Sequence, residues 1–257
     1  MEIIVIASAA LLASGLTLFS GFGLGTLLLP VVAIFFPVEV AVGVTALVHL
    51  ANNLFKLALL GGKADRGVVV SFGLPAILAA LLGAVLLGWL SGLPELAGYT
   101  LGTRDYAVMP IKLVVGLLIL AFVVLELTPI LSGVALDRRL LPLGGAVSGF
   151  FGGLSGHQGA FRSMFLLKAG LNKEQFVATG VVVAVLVDLT RLLVYGRGAL
   201  VTGAAVDWSL VGVATVSAFA GAVIGRHLLH KITIRTIQLL VSALLVVVSL
   251  GLISGLV

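Results

Sequence analysis

Hydrophobic residues run along the chain in ten segments, which are separated by short turns that carry glycine, proline and charge. The segments lie near 3–20, 22–36, 38–60, 68–92, 107–127, 140–152, 157–170, 174–195, 204–228 and 233–256. A stretch of about 20 apolar residues is long enough to cross the hydrocarbon core of a bilayer as an α-helix. The pattern therefore predicts an all-α polytopic membrane protein.

The second segment of each half is shorter than its neighbours, and a glycine cluster precedes it. Gly21-Phe22-Gly23-Leu24-Gly25 precedes the first short segment, and Gly152-Gly153-Leu154-Ser155-Gly156 precedes the second. At about 1.5 Å per residue, roughly 14 residues are too few to cross a membrane. We expect two half-helices within broken or re-entrant hairpins, their N-termini near mid-membrane. Pro30 and Pro37 are expected to bend or end the first of them.

Two stretches of the chain, 135 residues apart, resemble each other. The matched residues at this offset are Ser20-Gly21 with Ser155-Gly156, Glu39 with Glu174, Lys56 with Arg191, and Gly61 with Gly196. After three more residues are inserted, Gly83-Ala84-Val85 matches Gly221-Ala222-Val223. The match predicts two repeats, 1–128 and 129–257, in one integrated membrane domain. Each repeat is expected to hold a broken or re-entrant hairpin and three transmembrane helices.

The basic residues in the turns predict how the repeats are oriented. If the 61–67 turn is cytoplasmic and the repeats are inverted, nine cations lie inside and three outside. This distribution agrees with the positive-inside rule. The inside set is Lys63, Arg66, Arg138, Arg139, Lys168, Lys173, Arg226, Lys231 and Arg235, and the outside set is Arg104, Lys112 and Arg197. We therefore predict inverted-topology repeats with both termini periplasmic or external.

Composition narrows the chemistry that this chain can perform. Its residues are 61% hydrophobic and 10% charged, whereas an average soluble domain is about 25% charged. The chain has no cysteine, and its four histidines show no metal-ligand spacing, so no metal and no cofactor are predicted. The net charge of +5 is explained by the cytoplasmic turns. Membrane lipids, and no nucleic acid, are therefore the expected surroundings.

Three of the fifteen cations, Lys56, Arg162 and Arg191, lie inside hydrophobic segments. Each costs at least about 2.5 kcal/mol at a helix centre, so each needs a partner or a function. Lys56 either contacts a substrate anion or extends to the cytoplasmic interface. Arg191 either serves the site or forms an ion pair with Asp188, three residues earlier. Arg162 follows the second glycine cluster, where its guanidinium could bind an oxyanion near a half-helix N-terminus; an interfacial anchor or a tie to Asp188 is the structural alternative.

Other polar groups accompany these cations. On the third segment Thr45, His49 and Asn52 share one helix face with Lys56, and Asn53 lies beside it. The glycines either bind the substrate or allow close helix packing. His49 and His157 either carry protons or form buried hydrogen bonds with no role in transport. The predicted substrate-binding residues are Gly21, Gly23, Gly25, Asn52, Asn53, Lys56, Ser155, Gly156, His157, Gln158, Arg162 and Arg191.

The order of these features resembles the sulfite exporter TauE/SafE family. The resemblance rests on the glycine-rich broken hairpin and the polar helix ending Lys56-x4-Gly61-Gly62, both repeated from Gly153-x2-Gly156 to Arg191-x4-Gly196. It covers essentially the whole chain. It implies transport of sulfite, organosulfonates or related anions across a bacterial inner membrane, with the family's glycine-rich hairpins at Gly21–Gly25 and Gly152–Gly159. Residues 157–162 depart from the proline-containing second hairpin of many members, which leaves the exact sulfur anion open.

The sequence features predict a multi-pass secondary transporter that moves a small oxyanion through a site between the repeats, and the resemblance implies that this is a sulfur oxyanion and that the membrane is the inner one. No ATP-binding P-loop is present in the sequence, so a gradient is the expected energy source. An anion channel is one alternative. An intramembrane lipid-phosphate hydrolase is another, with Ser155 and His157 as its only nucleophile and base, but the acids are dispersed. We predict that the protein is not an enzyme, and the sequence is compatible with a homodimer.

Overall fold

The computed structural model describes residues 2–20, 24–128, 137–167, 169–202, 207–228 and 234–257. Within these ranges the chain forms ten α-helices, one on each predicted segment. They are α1 (Glu2–Ser20), α2 (Leu24–Ala33), α3 (Val38–Leu60), α4 (Arg66–Ser91), α5 (Pro110–Leu127), α6 (Leu141–Ser155), α7 (Gly159–Leu166), α8 (Lys173–Thr202), α9 (Trp208–Leu228) and α10 (Ile234–Ser254). The predicted helical class is confirmed.

Three of these helices are long and apolar enough to span a membrane: α3 over Val38–Ala58, α4 over Arg66–Ser91 and α8 over Lys173–Arg197. Shorter apolar stretches lie in α1, α2, α5, α9 and α10. Large side chains such as Leu82 and Val216 are 67% and 68% exposed on the outer helix faces. Lipid tails solvate such surfaces, so the exposure agrees with a multi-pass membrane protein.

Helices α2 and α7 are short, with 10 and 8 residues. At a rise of about 1.5 Å per residue they extend only about 15 Å and 12 Å, so neither can cross a bilayer alone. Pro30 lies inside α2 near its end, and Pro37 is the N-cap residue of α3. Every residue of α2 is buried, whereas only Gly159, Phe165 and Leu166 are buried in α7. The two half-helices therefore have different surroundings.

A β-hairpin follows α4, although the hydropathy pattern predicts no strand. Strand β1 (Ala97–Leu101) pairs with the antiparallel β2 (Arg104–Val108). Gly102, with φ 66°, starts the tight two-residue turn where glycine is favoured. The rings of Tyr99 and Tyr106 stack across the strands at 5.6 Å, and Tyr99 Oη donates a hydrogen bond to the Ser254 carbonyl at 2.7 Å. The hairpin is thereby held against the end of α10.

Short polar signals start three of the helices. The Asp65 carboxylate accepts a hydrogen bond from Val68 N–H at 2.9 Å and caps α4. Asp207 accepts from the Ser209 hydroxyl and from the Leu210 N–H ahead of α9, and these hydrogen bonds lower the pKa of the exposed Asp207 carboxyl. Asn172 and Gln175 bond reciprocally to each other's backbone N–H at the start of α8. Such caps satisfy backbone donors that the first turn leaves free.

The main helix contacts join the first half of the chain to the second. Helix α4 packs on α6, α9 packs on α1, α3 packs on α8, and α5 packs on α10. Along α6, a Cβ added at any of three glycines would overlap a backbone carbonyl of α4; the pairs are Gly145 with Phe72, Gly149 with Ala76, and Gly153 with Ala80. Glycine at four-residue spacing therefore lets two backbones touch, as small residues do in membrane helix pairs.

The glycines that match between the repeats have the same packing role. A Cβ on Gly83 of α4 would overlap the Phe150 carbonyl of α6. A Cβ on Gly221 of α9 would overlap the Leu11 carbonyl of α1. In each half, the fourth helix thus uses its matched glycine to approach the first helix of the other half.

We expect Gly149→Ala to destabilise the fold, because the new methyl group would press on the rigid Ala76 carbonyl of α4. Overpacking of this kind costs about 1–3 kcal/mol. The measurement is the midpoint of thermal unfolding of detergent-purified protein, followed by size-exclusion chromatography. Gly88→Ala on α4 is the control, since nothing lies within 4 Å of its added Cβ. Equal midpoints for the two variants would contradict backbone contact between α4 and α6.

Candidate functional site

A buried carboxylate, Asp188, lies at the centre of the polar contacts between α3 and α8. His49 Nδ1 of α3 is 2.5 Å from Asp188 Oδ2. Arg191 donates two hydrogen bonds to Asp188 Oδ1, from Nε at 3.0 Å and from Nη2 at 2.8 Å. Gln158, in the turn between α6 and α7, donates to the same oxygen at 3.3 Å. Asp188 is 0% exposed and Arg191 is 1% exposed, so this is an interior network.

The ion pair between Asp188 and Arg191, proposed from their i, i+3 spacing, is confirmed. The contact of Asp188 with His49 crosses 139 residues and was not predicted. Asn53, one turn after His49, donates to the His49 carbonyl at 2.9 Å and lies against its ring. Asn53 is the position that matches Asp188 between the repeats. Both members of this matched pair therefore contact one histidine.

Arg162 lies next to this network without an ionic partner of its own. Its Nη1 donates to Gln158 Oε1 at 3.3 Å, and its Nε lies against Gly180 of α8. Its charge acts on Asp188 and on the partly buried Lys56. Neither Arg162 nor Lys56 has a salt bridge within the described ranges. Among the described residues, Asp188 pairs with Arg191, whereas Arg162 and Lys56 form no salt bridge, so this region holds an excess of positive charge.

The two glycine-rich breaks meet beside Arg191. Gly156 ends α6 in the left-handed conformation, with φ 80°, and a Cβ there would lie 2.8 Å from Arg191 Nη1. Gly25, the second residue of α2, packs on the Gly156 carbonyl. The predicted site glycines Gly21 and Gly23 lie outside the described residues.

A small pocket of about 10 Å³, with room for about one water-sized group, adjoins the second break and is lined by Thr26, Phe122, His157 and Ala160. Thr26 and Ala160 belong to the first turns of α2 and α7. The His157 ring stacks on Phe122, with centroids 4.8 Å apart and an interplanar angle of 11°. His157 is 2% exposed, and its Nε2 has no hydrogen-bond partner in the described part of the chain. The starts of both half-helices therefore share one pocket.

Several other buried polar atoms near the breaks also have no partner in the described residues. They are Arg191 Nη1, Asn52 Oδ1 and Thr45 Oγ1. Most buried polar atoms in native proteins are hydrogen-bonded. Unpaired atoms in this region are therefore places where a ligand or water is expected.

Most of the predicted binding residues come together, in two adjoining groups. Asn53, Gln158, Arg162 and Arg191 join the network around Asp188. His157 lines the pocket and Ser155 bonds to it, while Gly25 and Gly156 lie where the two breaks meet. Asn52 is buried nearby on α3, and Lys56 reaches the network through its charge alone. The predicted set of binding residues omits four residues that lie in the network or line the pocket, namely His49, Asp188, Thr26 and Phe122. His49 and Asp188 carried a signal as polar residues inside apolar helices, whereas Phe122 carried none.

The contact between Ser155 and His157 does not form a catalytic triad. Ser155 Oγ lies 3.0 Å from His157 Nδ1, but the Nε2 of this histidine has no acid to orient it among the described residues. No group of three His, Asp or Glu that could hold a metal ion occurs in those ranges either. The geometry gives no support to a hydrolase.

We expect Asp188→Asn to lower the free energy of unfolding by about 3–5 kcal/mol, because it leaves a buried arginine without its counter-ion. Thermal unfolding in detergent measures the change. Glu174→Gln is the control, since it breaks a solvent-exposed ion pair with Lys63 of similar length, 2.7 Å, which should contribute at most about 1 kcal/mol. Replacing Asp188 and Arg191 together by leucine should recover part of the loss. Equal stability of the two single variants would show that Asp188 does not hold this region together.

The sequence profile of the family described as sulfite exporter TauE/SafE matches residues 6–252. No curated protein and no solved structure matches the chain. The matched range includes both halves, both breaks and every residue of the network around Asp188. Members of this family are membrane transporters of sulfur anions and not enzymes. With nearly its whole length matched, the chain belongs to the sulfite exporter TauE/SafE family.

Proposed function

We propose that this protein is a secondary transporter that carries a small sulfur oxyanion, sulfite or an organosulfonate, through a site between its two halves. The observation that carries the proposal is the meeting of both half-helix starts at one pocket, beside an excess of buried positive charge. Free backbone N–H groups and the helix dipole make a helix N-terminus attractive to anions. Guanidinium groups suit oxyanions because they donate in a planar fork.

Of the two guanidinium groups inside the membrane, that of Arg162 has the less compensated charge, and we assign it to the substrate. Arg191 uses two of its N–H groups on Asp188, so most of its charge is compensated. Among the described residues, the Arg162 side chain donates only to the neutral amide of Gln158. Its charge is therefore free to balance an anion, with Arg191 Nη1 and Lys56 as additional attraction or as a gate.

The energy source follows from the charge of the cargo. An anion that leaves a cell with a negative interior gains about 2.3 kcal/mol per charge for every 100 mV of membrane potential. The membrane potential can therefore drive export without ATP and without coupled proton movement through a buried group such as Asp188. In this proposal Asp188 is a structural counter-ion that holds Arg191 and His49 in place.

The helix contacts support an arrangement of two inverted repeats. Helix α4 packs on α6 as α9 packs on α1, and the matched glycines Gly83 and Gly221 make the equivalent close approaches. Contacts at the helix ends agree with this topology. Lys63 bonds to Glu174 at one end, where both turns are predicted to be cytoplasmic. Tyr99 bonds to Ser254 at the other, where the hairpin and the C-terminus are predicted to be external.

We expect the 61–67 turn to face the cytoplasm and the hairpin turn to face outside. The chain lacks cysteine, so single substitutions Gly62→Cys and Thr103→Cys place one thiol on each exposed turn. A membrane-impermeant maleimide should label Thr103→Cys in intact cells and Gly62→Cys only after lysis. Labelling of Gly62→Cys from outside would reverse the proposed orientation.

We expect Arg162→Ala to weaken sulfite binding by about 2–3 kcal/mol, or about 30- to 150-fold, because a charge-assisted contact is lost. Arg162→Lys should recover only part, since an ammonium cannot form the planar fork. Lys56→Ala should have a smaller effect. Calorimetry on the purified protein gives the affinities, and sulfite flux from reconstituted vesicles under an imposed potential gives the transport rate.

The control for this series is Arg104→Ala, which removes an exposed arginine from the hairpin. It should bind and transport sulfite like the unchanged protein. Failure of the unchanged protein to move sulfite or an organosulfonate would reject the proposed function. Unaltered affinity in folded Arg162→Ala would reject the role of Arg162 alone.

A further inference from the structure

The hydrogen bonds around His157 fix which ring nitrogen carries the proton. His157 Nδ1 lies 3.1 Å from the Ser155 carbonyl and 3.0 Å from Ser155 Oγ. A carbonyl can only accept a hydrogen bond, and the Ser155 hydroxyl donates its own hydrogen to the Phe151 carbonyl at 3.2 Å. We assign the ring hydrogen to Nδ1, because an unprotonated Nδ1 would set its lone pair against those of the Ser155 carbonyl oxygen. In the neutral ring this leaves Nε2 with a lone pair and no hydrogen.

The pocket offers this lone pair little to bind. Of the other lining residues, Phe122 and Ala160 have apolar side chains, and Thr26 has the only hydroxyl. His157 Nε2 is buried and has no partner within the described residues. A buried acceptor left without a donor costs about 1–3 kcal/mol. A ligand that brings its own hydrogen-bond donor would remove that cost.

The imidazole ring is neutral, so the attraction for negative charge comes from neighbouring arginines. The charge of Arg191 acts on His157. Arg162, on α7, donates a hydrogen bond to Gln158, the residue after His157. The pocket therefore combines a positive surrounding field with a neutral hydrogen-bond acceptor. The ligand that satisfies both is an anion that still carries a proton.

We propose that His157 makes the site selective for proton-bearing oxyanions, such as hydrogen sulfite, over fully ionised ones such as sulfate. Near neutral pH sulfite is partly hydrogen sulfite, which can donate to Nε2. Sulfate carries no proton, so one of its oxygens would place a lone pair against the lone pair of Nε2. This inference rests on the proposed function, because it names the form of the anion that the same site accepts.

Calorimetry on the unchanged protein at neutral pH, with sulfite, sulfate and phosphate, tests the inference. Hydrogen phosphate and sulfate are alike in shape and charge, but only hydrogen phosphate carries a proton. We expect sulfite to bind, and phosphate to bind about 10- to 100-fold more tightly than sulfate. Phosphate affinity no greater than that of sulfate overturns the inference. Absence of sulfite binding rejects the proposed function itself, and the inference with it.

Two substitutions at His157 separate selectivity from structure. His157→Phe keeps an aromatic ring against Phe122 but removes the acceptor, so the ratio of phosphate to sulfate affinity should fall towards one. His157→Gln retains an acceptor oxygen and should keep part of the ratio. Phe151→Leu is the control. The Phe151 ring packs on Phe122, with ring centroids 5.7 Å apart, but does not line the pocket. The ratio of phosphate to sulfate affinity in this variant should not change. An equal loss for all three anions in His157→Phe would mean that His157 only supports the fold.

Discussion

The polar interior of this protein depends on one buried carboxylate, Asp188, whose negative charge is compensated by its neighbours. Asp188 holds Arg191, His49 and Gln158, and so ties α3, α8 and the second break to one point. A charge in a low-dielectric interior is tolerated only with partners of this kind. Because the carboxylate pairs with Arg191, and Arg162 and Lys56 form no salt bridge among the described residues, a surplus of positive charge remains beside it. The same contact therefore supports the fold and leaves room for an anion.

The helical part of the fold could be predicted because membrane helices give a strong local signal. Each apolar segment became a helix, and the glycine clusters marked the short α2 and α7 correctly. The hairpin of β1 and β2 was missed because its strands lie in a polar connection and are largely exposed. It is held against α10 by the hydrogen bond from Tyr99 to Ser254, and these two residues are 155 positions apart. No local pattern records such a contact.

In the site, too, contacts between residues close in sequence could be predicted, whereas contacts between distant residues could not. The partners Asp188 and Arg191 are three residues apart on one helix, so spacing alone indicated their contact. His49 was visible as a polar residue in an apolar helix, but its partner lies in the other half. Arg162 was correctly expected at the start of the half-helix, yet it packs towards Gly180 of α8 and does not line the pocket. Helix α7 has only eight residues, so its rotation about its own axis is set by tertiary packing. The sequence pattern therefore did not predict which way Arg162 points.

The glycine contacts between α4 and α6 have a consequence for movement. Backbones that touch along three successive turns cannot slide past each other without steric overlap, so α4 must travel with α6 in any rearrangement that preserves them. The close approach of Gly221 to α1 binds α9 to α1 in the same manner. The rigid bodies of the protein are therefore assembled from exchanged helices, and they do not coincide with the two halves of the chain.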